Sequence, residues 1–511
     1  MPRVLINTTA GQLLDKIEQA EAFEALPVFS ELVSSMMTQV NDTRIRREVK
    51  KFYRYVMLSH RWRHAEPRYK DVKNVTVYKQ KASTGCTKLQ TFCELVRSLG
   101  FWWAWSDTCC IDQENNVVLQ ESLVAMFTWY RGSSLTIIYL FDVSSLLETP
   151  GGLQDCMWNT RAWTYQECVA AERAQFYTQD WKPYLGLKLS NYKELPAVAL
   201  EMERASRLSA DQLAVLRPGL DRVREKLYLA SKRRSTRVED SAYSLLGIFN
   251  VSIPIIYGEG TRAVGRFLEH ILTGSGDVRI LAWTGITNEY NSCLPMNLSV
   301  YSSLVPPHVP HMETIELDRV VADLPSSIPD LSLAITLYDG LHRLPLASLA
   351  STRLQLPCIR FHVTDVVYSL GSDPETNIYV YRVTTTAFGD VEIRTASALT
   401  MGNEHCFIHP WICPLLDPDL LHGRAALDIE TRALRLVARL RQPFGTLFLE
   451  KVSPVVYKRV AADSLIIVRI RKEVPLTSLI DNIDTVYVKW PWGLSYHDEA
   501  LYLALGVIRS A

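Results

Sequence analysis

No window of this 511-residue sequence approaches the roughly 18 to 20 apolar residues that a membrane-spanning helix needs. The richest apolar run, Leu135 to Phe141, is short and full of β-branched and aromatic residues, so it reads as a buried strand. The first twenty residues carry Asp15 and Glu18 where a signal peptide needs an unbroken apolar stretch. An excess of one charge is also missing. Lysine plus arginine (55) equals aspartate plus glutamate (55), so no basic field draws the chain to nucleic acid or an anionic membrane. The ten cysteines follow no regular spacing, which fits reduced thiols better than a disulfide framework. These absences point to a cytoplasmic protein with no nucleic-acid partner and no membrane span.

The composition that is present, 48% hydrophobic and 22% charged, is that of a folded rather than a disordered chain. One core stops growing at about 250 to 300 residues, so two or three domains are expected. Strand-like runs alternate with amphipathic segments early in the chain. Tyr53 to Leu58 is an apolar run that stops at Ser59-His60-Arg61-Trp62, and a helix follows in which Leu89, Phe92, Cys93, Val96 and Leu99 recur with helical spacing. Phe101 to Trp105, a helix over about Val118 to Arg131, Leu135 to Phe141, a helix over about Asn159 to Glu172 and a strand over Ala174 to Thr178 continue the alternation. Strands joined by crossover helices imply a parallel sheet covered on both faces, with ligands at the carboxyl ends of its strands. From about Trp181 to Leu272 the pattern is mainly helical, with Leu213 to Ser231 and Asp240 to Phe249 clearest. After Gly285 it turns to short β-rich runs, Thr376 to Thr384, Gly445 to Lys451, Ser464 to Arg471 and Thr485 to Lys489. The Pro306-Pro307 and Pro310 cluster marks the change. The expected divisions are an N-terminal helical segment over 1–50, an α/β core over 51–185, a helical extension over 186–285 and a β-rich domain over 286–511.

Several clusters carry chemistry. Ser59-His60-Arg61-Trp62-Arg63-His64 places arginines, which pair with phosphate, beside an indole, which stacks on rings; the plain alternative is a solvated loop with Trp62 against the sheet. Asp107 and Asp112 follow the second strand, where Asp107 is suited to accept a bond from a histidine or arginine of the first loop, or to cap the next turn. The adjacent Cys109-Cys110 lack the spacing of a redox or zinc pair. His405, Cys406, His409 and Cys413 offer soft ligands within nine positions, but Pro410 and Pro414 interrupt them and Trp411 reads as core, so no metal is expected. Lys232 to Arg237 is the one dense basic run, most simply a solvated loop or helix start. In Arg161-Ala162-Trp163-Thr164-Tyr165-Gln166-Glu167, Trp163 and Glu167 lie four apart and share a helical face.

Four of these blocks together resemble fungal heterokaryon-incompatibility (HET) domain proteins: Tyr55 to Trp62, Trp105 to Gln113, Arg161 to Glu167, and Arg234 to Phe249 closing with Tyr257-Gly258-Glu259-Gly260 and Asp277 to Trp283. The chain departs from that pattern at His60-Arg61-Trp62-Arg63 and at Cys109-Cys110. The resemblance implies a part in non-self recognition, where contact between incompatible partners triggers death of the fused cell. HET domains in turn resemble TIR domains, which implies a TIR/flavodoxin-like parallel sheet flanked by helices in residues 51–185. In TIR enzymes that cleave NAD a glutamate early in the third helix carries catalysis, and Trp163 to Glu167 repeats its spacing, with Thr164 in place of the usual cysteine.

Two functions follow as expectations. In the first, NAD is a substrate cleaved at its nicotinamide-ribose bond: Glu167 stabilises the positive charge that develops on the ribose, Arg61 holds the pyrophosphate, Trp62 or Trp163 stacks on a ring, Asp107 orients the first loop, and Ser59 and His60 line the same site. No bound cofactor is needed. This reading expects Glu167 partly exposed in a cleft with Ser59 to Trp62. In the second, the domain is a non-catalytic module that engages other incompatibility proteins or itself, and Glu167 only fastens its helix, paired to Arg161 or to a backbone donor.

Overall fold

The structure, a computed structural model, describes residues 1–36, 41–145, 151–187, 189–206, 217–302, 319–322, 324, 330–350, 352–369, 378–400, 402–411 and 428–489. The chain forms two compact units. The first comprises Met1–Gly219 and Lys232–Ile255; the second comprises Leu220–Ser231 and everything from Ile256 onward. The chain thus leaves the first unit for twelve residues and returns to it before departing again. Among the described residues no helix is long and apolar enough to cross a membrane.

In the first unit six strands, β1 (Leu5–Asn7), β2 (Leu13–Leu14), β3 (Tyr55–His60), β4 (Trp103–Trp105), β5 (Leu135–Tyr139) and β6 (Ala174–Tyr177), form one sheet in the order β2-β1-β4-β3-β5-β6. The four strands β4-β3-β5-β6 are mutually parallel. The stretch before residue 51, expected as a helical segment, begins with β1 and β2, which extend this sheet, β1 antiparallel to β4 and β2 antiparallel to β1. Two or three apolar residues between polar ones are too few to stand out as strands without their partners. Helices α1 (Lys16–Glu24), α2 (Pro27–Met36) and α3 (Asp42–Phe52) follow, the first opened by a capping box between Asp15 and Glu18.

The crossovers are α4 (Tyr69–Asn74) and α5 (Thr84–Ser98) between β3 and β4, the short α6 (Asp107–Cys110) with α7 (Asn116–Gly132) between β4 and β5, and α8 (Ala162–Ala170) between β5 and β6. Ser83 caps α5 by accepting from the Cys86 amide, and Asn115 caps α7 by accepting from Val117 and Val118. The inner face of α7 is Ser122, Leu123, Met126, Phe127 and Tyr130, while Leu119, which helical spacing places on the same face, is only half-buried. β3 and β5 are buried at every position, as a parallel strand covered on both faces must be. A local core of Ile138, Leu140, Trp158, Phe176, Tyr184 and Tyr192 packs about β5 and β6.

In the second unit helices Val223–Ser231 and Arg262–Ser275 precede a nine-stranded sheet, β7 (Ser348–Ala350) to β15 (Ile483–Val488). Strands β8 (Arg353–Tyr368), β11 (His405–Pro410), β12 (Phe444–Ser453), β13 (Val456–Arg459) and β15 close on themselves, because β15 pairs with β8 as well as with β13. β8 runs on to pair with β9 (Tyr379–Thr385), which pairs with β10 (Gly389–Thr395). Helices Leu331–His342 and Ile429–Leu440 supply Leu337, Leu341, Leu436 and Val437 to one core with Phe361, Phe407 and Phe448 of the sheet. The β-rich runs expected near 376–384, 445–451, 464–471 and 485–489 correspond to β9, β12, β14 (Ile466–Val468) and β15. The Pro306-Pro307 and Pro310 cluster lies outside the described residues, as do residues 213–216 at the start of the helix expected over Leu213 to Ser231, of which Val223–Ser231 is helical.

Candidate functional site

The carboxyl end of β3 meets α8 through Ser59 and Glu167. Ser59 and His60 were expected in the loop after the first strand, but both belong to β3 itself, paired with Ile138 and Tyr139 of β5. The loop begins at Arg61. Polar residues at a strand end read as loop from sequence, yet here their backbones complete the parallel ladder and their side chains find partners inside.

Ser59 is fully buried and central. Its hydroxyl donates to Glu167 Oε2 at 2.5 Å and accepts from Trp158 Nε1 at 2.8 Å. Glu167 lies one and a half turns into α8 and is only 3% exposed. Its carboxyl is therefore inside the fold, not partly exposed in an open cleft, and its partner is a serine hydroxyl rather than Arg161 or a backbone donor. Burial, and then the charge of Asp107, push the Glu167 carboxyl up to about 8, against the opposing pull of the Ser59 bond and of Arg161 and Arg233. At neutral pH Glu167 is mostly a neutral acid. Tyr130, whose hydroxyl donates to Leu58 O at 2.9 Å, is pushed up by burial and by the nearby Glu167.

Asp107, the first residue of α6, ties the loop to this cluster. It accepts from Trp62 Nε1 at 2.7 Å and faces His60 Nε2 at 3.1 Å. Burial works to raise its pKa, but the hydrogen bonds from His60 and Trp62 and the charge of Arg161 hold it below the ordinary carboxylate value. His60 is pushed down by burial first and by Lys88 second. The consistent state is an ionised Asp107 accepting Nε2–H of a neutral imidazole, which leaves His60 Nδ1 as a buried acceptor without a partner.

The loop is fastened a second time by the buried pair of Lys88 on α5 with Glu66, whose Oε1 also accepts from the Arg63 amide. Gly85 makes that approach possible: a Cβ there would lie 2.7 Å from Glu66 Cα. Trp62, 39% exposed, is left at the surface with the Arg161 guanidinium 5.4 Å from its ring centre. Arg61 reaches Met157 Sδ at 2.9 Å, and Met157 is itself 40% exposed. Trp163 is half-buried one turn before Glu167.

The structure thus places two hydrogen-bonded sets at the end of β3, Ser59 with Glu167 and Trp158, and Asp107 with His60 and Trp62, while Arg61 pairs with Met157. Sequence reasoning missed four participants. Trp158 and Lys88 carried no signal, and Tyr130 none beyond its place on the apolar face of α7. Arg233, in the basic run taken as a solvated loop, hydrogen-bonds the start of α8. In the second unit His405 stacks on Phe448 with centroids 5.4 Å apart, and His409 lies 4.3 Å from the Phe444 ring centre. Their face is aromatic core. Burial pushes His409 down to about 4. Cys413 lies outside the described residues, and among the described residues no group of three or more His, Cys, Asp or Glu is placed to hold a metal ion.

These features define an α/β domain with a parallel sheet and a polar cluster at its carboxyl strand ends. Residues 55–150 match the family model described as heterokaryon incompatibility protein (HET). The chain is 34% identical over 242 residues to vegetative incompatibility protein HET-E-1 of Podospora anserina, a match covering 44% of this chain and 17% of that protein. No solved structure matches. The chain thus carries a region similar to HET domains and spans about a sixth of the length of the curated relative it matches.

Proposed function

We propose that this chain acts in heterokaryon incompatibility as a signalling module of the cytoplasm, triggering death of the fused cell by binding another incompatibility protein or a second copy of itself. The HET match and the likeness to a vegetative incompatibility protein support the role. The observation that carries the module reading is the burial of Glu167 against Ser59. A carboxyl sealed inside the fold and neutral at pH 7 is spent on holding α8 to β3. The groups turned outward at the same strand ends, Trp62 and Met157 flanked by Arg61 and Arg161, are of the kind enriched where proteins dock.

A second reading, NAD cleavage, is favoured by one feature. Glu167 and Asp107 are neighbouring carboxyls pushed in opposite directions, the pattern of divided acid and base roles. Breaking the nicotinamide-ribose bond would require Glu167 to leave Ser59 and ionise, so that its charge faces the oxocarbenium-like ribose.

Incubating the purified protein with NAD separates the two, with nicotinamide release followed for wild type and Glu167→Gln, alone and under forced oligomerisation. The module predicts no release from either protein, and cell death that survives Glu167→Gln but is lost in Trp62→Ala. Release by wild type that disappears in Glu167→Gln overturns it in favour of the enzyme.

A further inference from the structure

Helix α8 begins without a side-chain cap. Its N-cap residue is Arg161, which makes no capping bond, although the first amides of a helix must find acceptors somewhere. One of them is served by the returning segment of the first unit. The Ala162 amide donates to Arg234 O at 2.9 Å, the Arg234 amide donates to Thr160 O at 2.7 Å, and Arg161 and Arg234 form a parallel bridge. Between the exposed Lys232 and Arg234, Arg233 turns inward. Its guanidinium donates to Arg161 O at 3.0 Å, to Thr164 Oγ1 at 3.1 Å and to Asn159 Oδ1 at 3.1 Å, and lies 4.9 Å from the Tyr165 ring centre.

A cation at this end of a helix opposes the helix dipole, so its place is not explained by helix electrostatics. Two things explain it. The planar fork satisfies three acceptors at once, which an ammonium on a flexible stem does less well. The guanidinium also lies near enough to Glu167 to act on its charge.

We propose that Arg233 is a positioning residue for Glu167: it clasps the first turn of α8 and thereby sets the placement of that helix against β3, on which the Ser59–Glu167 bond depends. The basic run is then a built part of the HET domain, although residues 55–150 of the family match stop short of it. This inference rests on the reading of Glu167 as the residue that fastens α8. It is tested without NAD, partner or cell, so its failure is separable from failure of the proposed function.

The test uses the full chain as wild type, Arg233→Gln and Arg233→Lys. Two quantities are read: the titration midpoint of Glu167, from the protonated-carboxyl infrared band absent in Glu167→Gln, and hydrogen exchange in the peptide spanning Met157 to Tyr165. The charged groups facing Glu167 are Asp107, Arg161 and Arg233, with the Tyr130 phenol beside them. Removing one of the two cations shifts the midpoint upward. Losing charged hydrogen bonds speeds exchange at the start of α8 by about tenfold or more. Arg233→Lys, which keeps the charge but not the fork, is expected to return the midpoint toward wild type while exchange stays fast. Wild-type values of both quantities in Arg233→Gln overturn the proposal, as does a lysine variant that recovers none of the midpoint. Should Arg233→Gln fail to fold, Arg233→Lys decides alone: wild-type exchange refutes the clasp, and fast exchange with a near-wild-type midpoint supports it.

Discussion

Glu167 shows how one residue type serves opposite ends. Its carboxyl is pushed up to about 8 inside the fold, above the ordinary value near 4.5, so the folded state holds a proton that the unfolded chain releases. Between about pH 4.5 and 8 the unfolded state binds fewer protons at this position, and stability falls as pH rises through that window. Each tenfold change in proton affinity is worth about 1.4 kcal/mol, so the loss across the window is on the order of a few kcal/mol. Glu167→Gln keeps an acceptor for Ser59 and cannot ionise. Its stability relative to wild type is therefore expected to rise from about pH 5 to about pH 8.5 in denaturant titrations, and a difference independent of pH contradicts the account. Legibility was uneven at this scale. Asp107 and His60 were recognisable as partners because each sits at the end of an apolar run, whereas the bond between Ser59 and Trp158 joins residues 99 positions apart and needed the fold to bring them together.

At the scale of elements, helix periodicity identified the buried face of α7, because side chains at three- and four-residue spacing must share a side. What that face packs against was not legible. Gly247, in the short helix Leu246–Phe249, lies so close to Phe127 of α7 that a methyl group there would overlap its side chain. Gly247→Ala is expected to destabilise the first unit by about 1 to 3 kcal/mol, through overpacking rather than loss of a turn, and thermal or urea unfolding measures it. An unchanged midpoint would show that the two helices part freely. β8 runs from Arg353 to Tyr368 through Pro357, which sits where the ladder with β11 ends, next to the Cys358–Pro410 pair.

For the whole molecule, the division into units does not follow the order of the chain. The helix Val223–Ser231 belongs to the second unit, and the next residues return to the first to clasp α8. A fragment ending at Gly219 therefore lacks Arg233, Arg234 and the helices Asp240–Tyr243 and Leu246–Phe249. It is expected to unfold at a lower temperature and less cooperatively than a fragment ending at Ile255, although both hold all six strands of the sheet. Equal melting of the two fragments, followed by calorimetry, would show that the returning segment adds nothing.

The sequence by itself determined the local structure of this protein. The alternation of strands and helices, the parallel sheet they require, the family blocks and the position of the candidate residues at strand ends all follow from periodicity and from the need to satisfy backbone groups within short segments. The tertiary structure alone decided whether Glu167 faces solvent or serine, which cation clasps its helix, and where the chain changes units. These depend on contacts between residues far apart along the chain, and burial, the largest influence on Glu167, is a property of the whole packed unit.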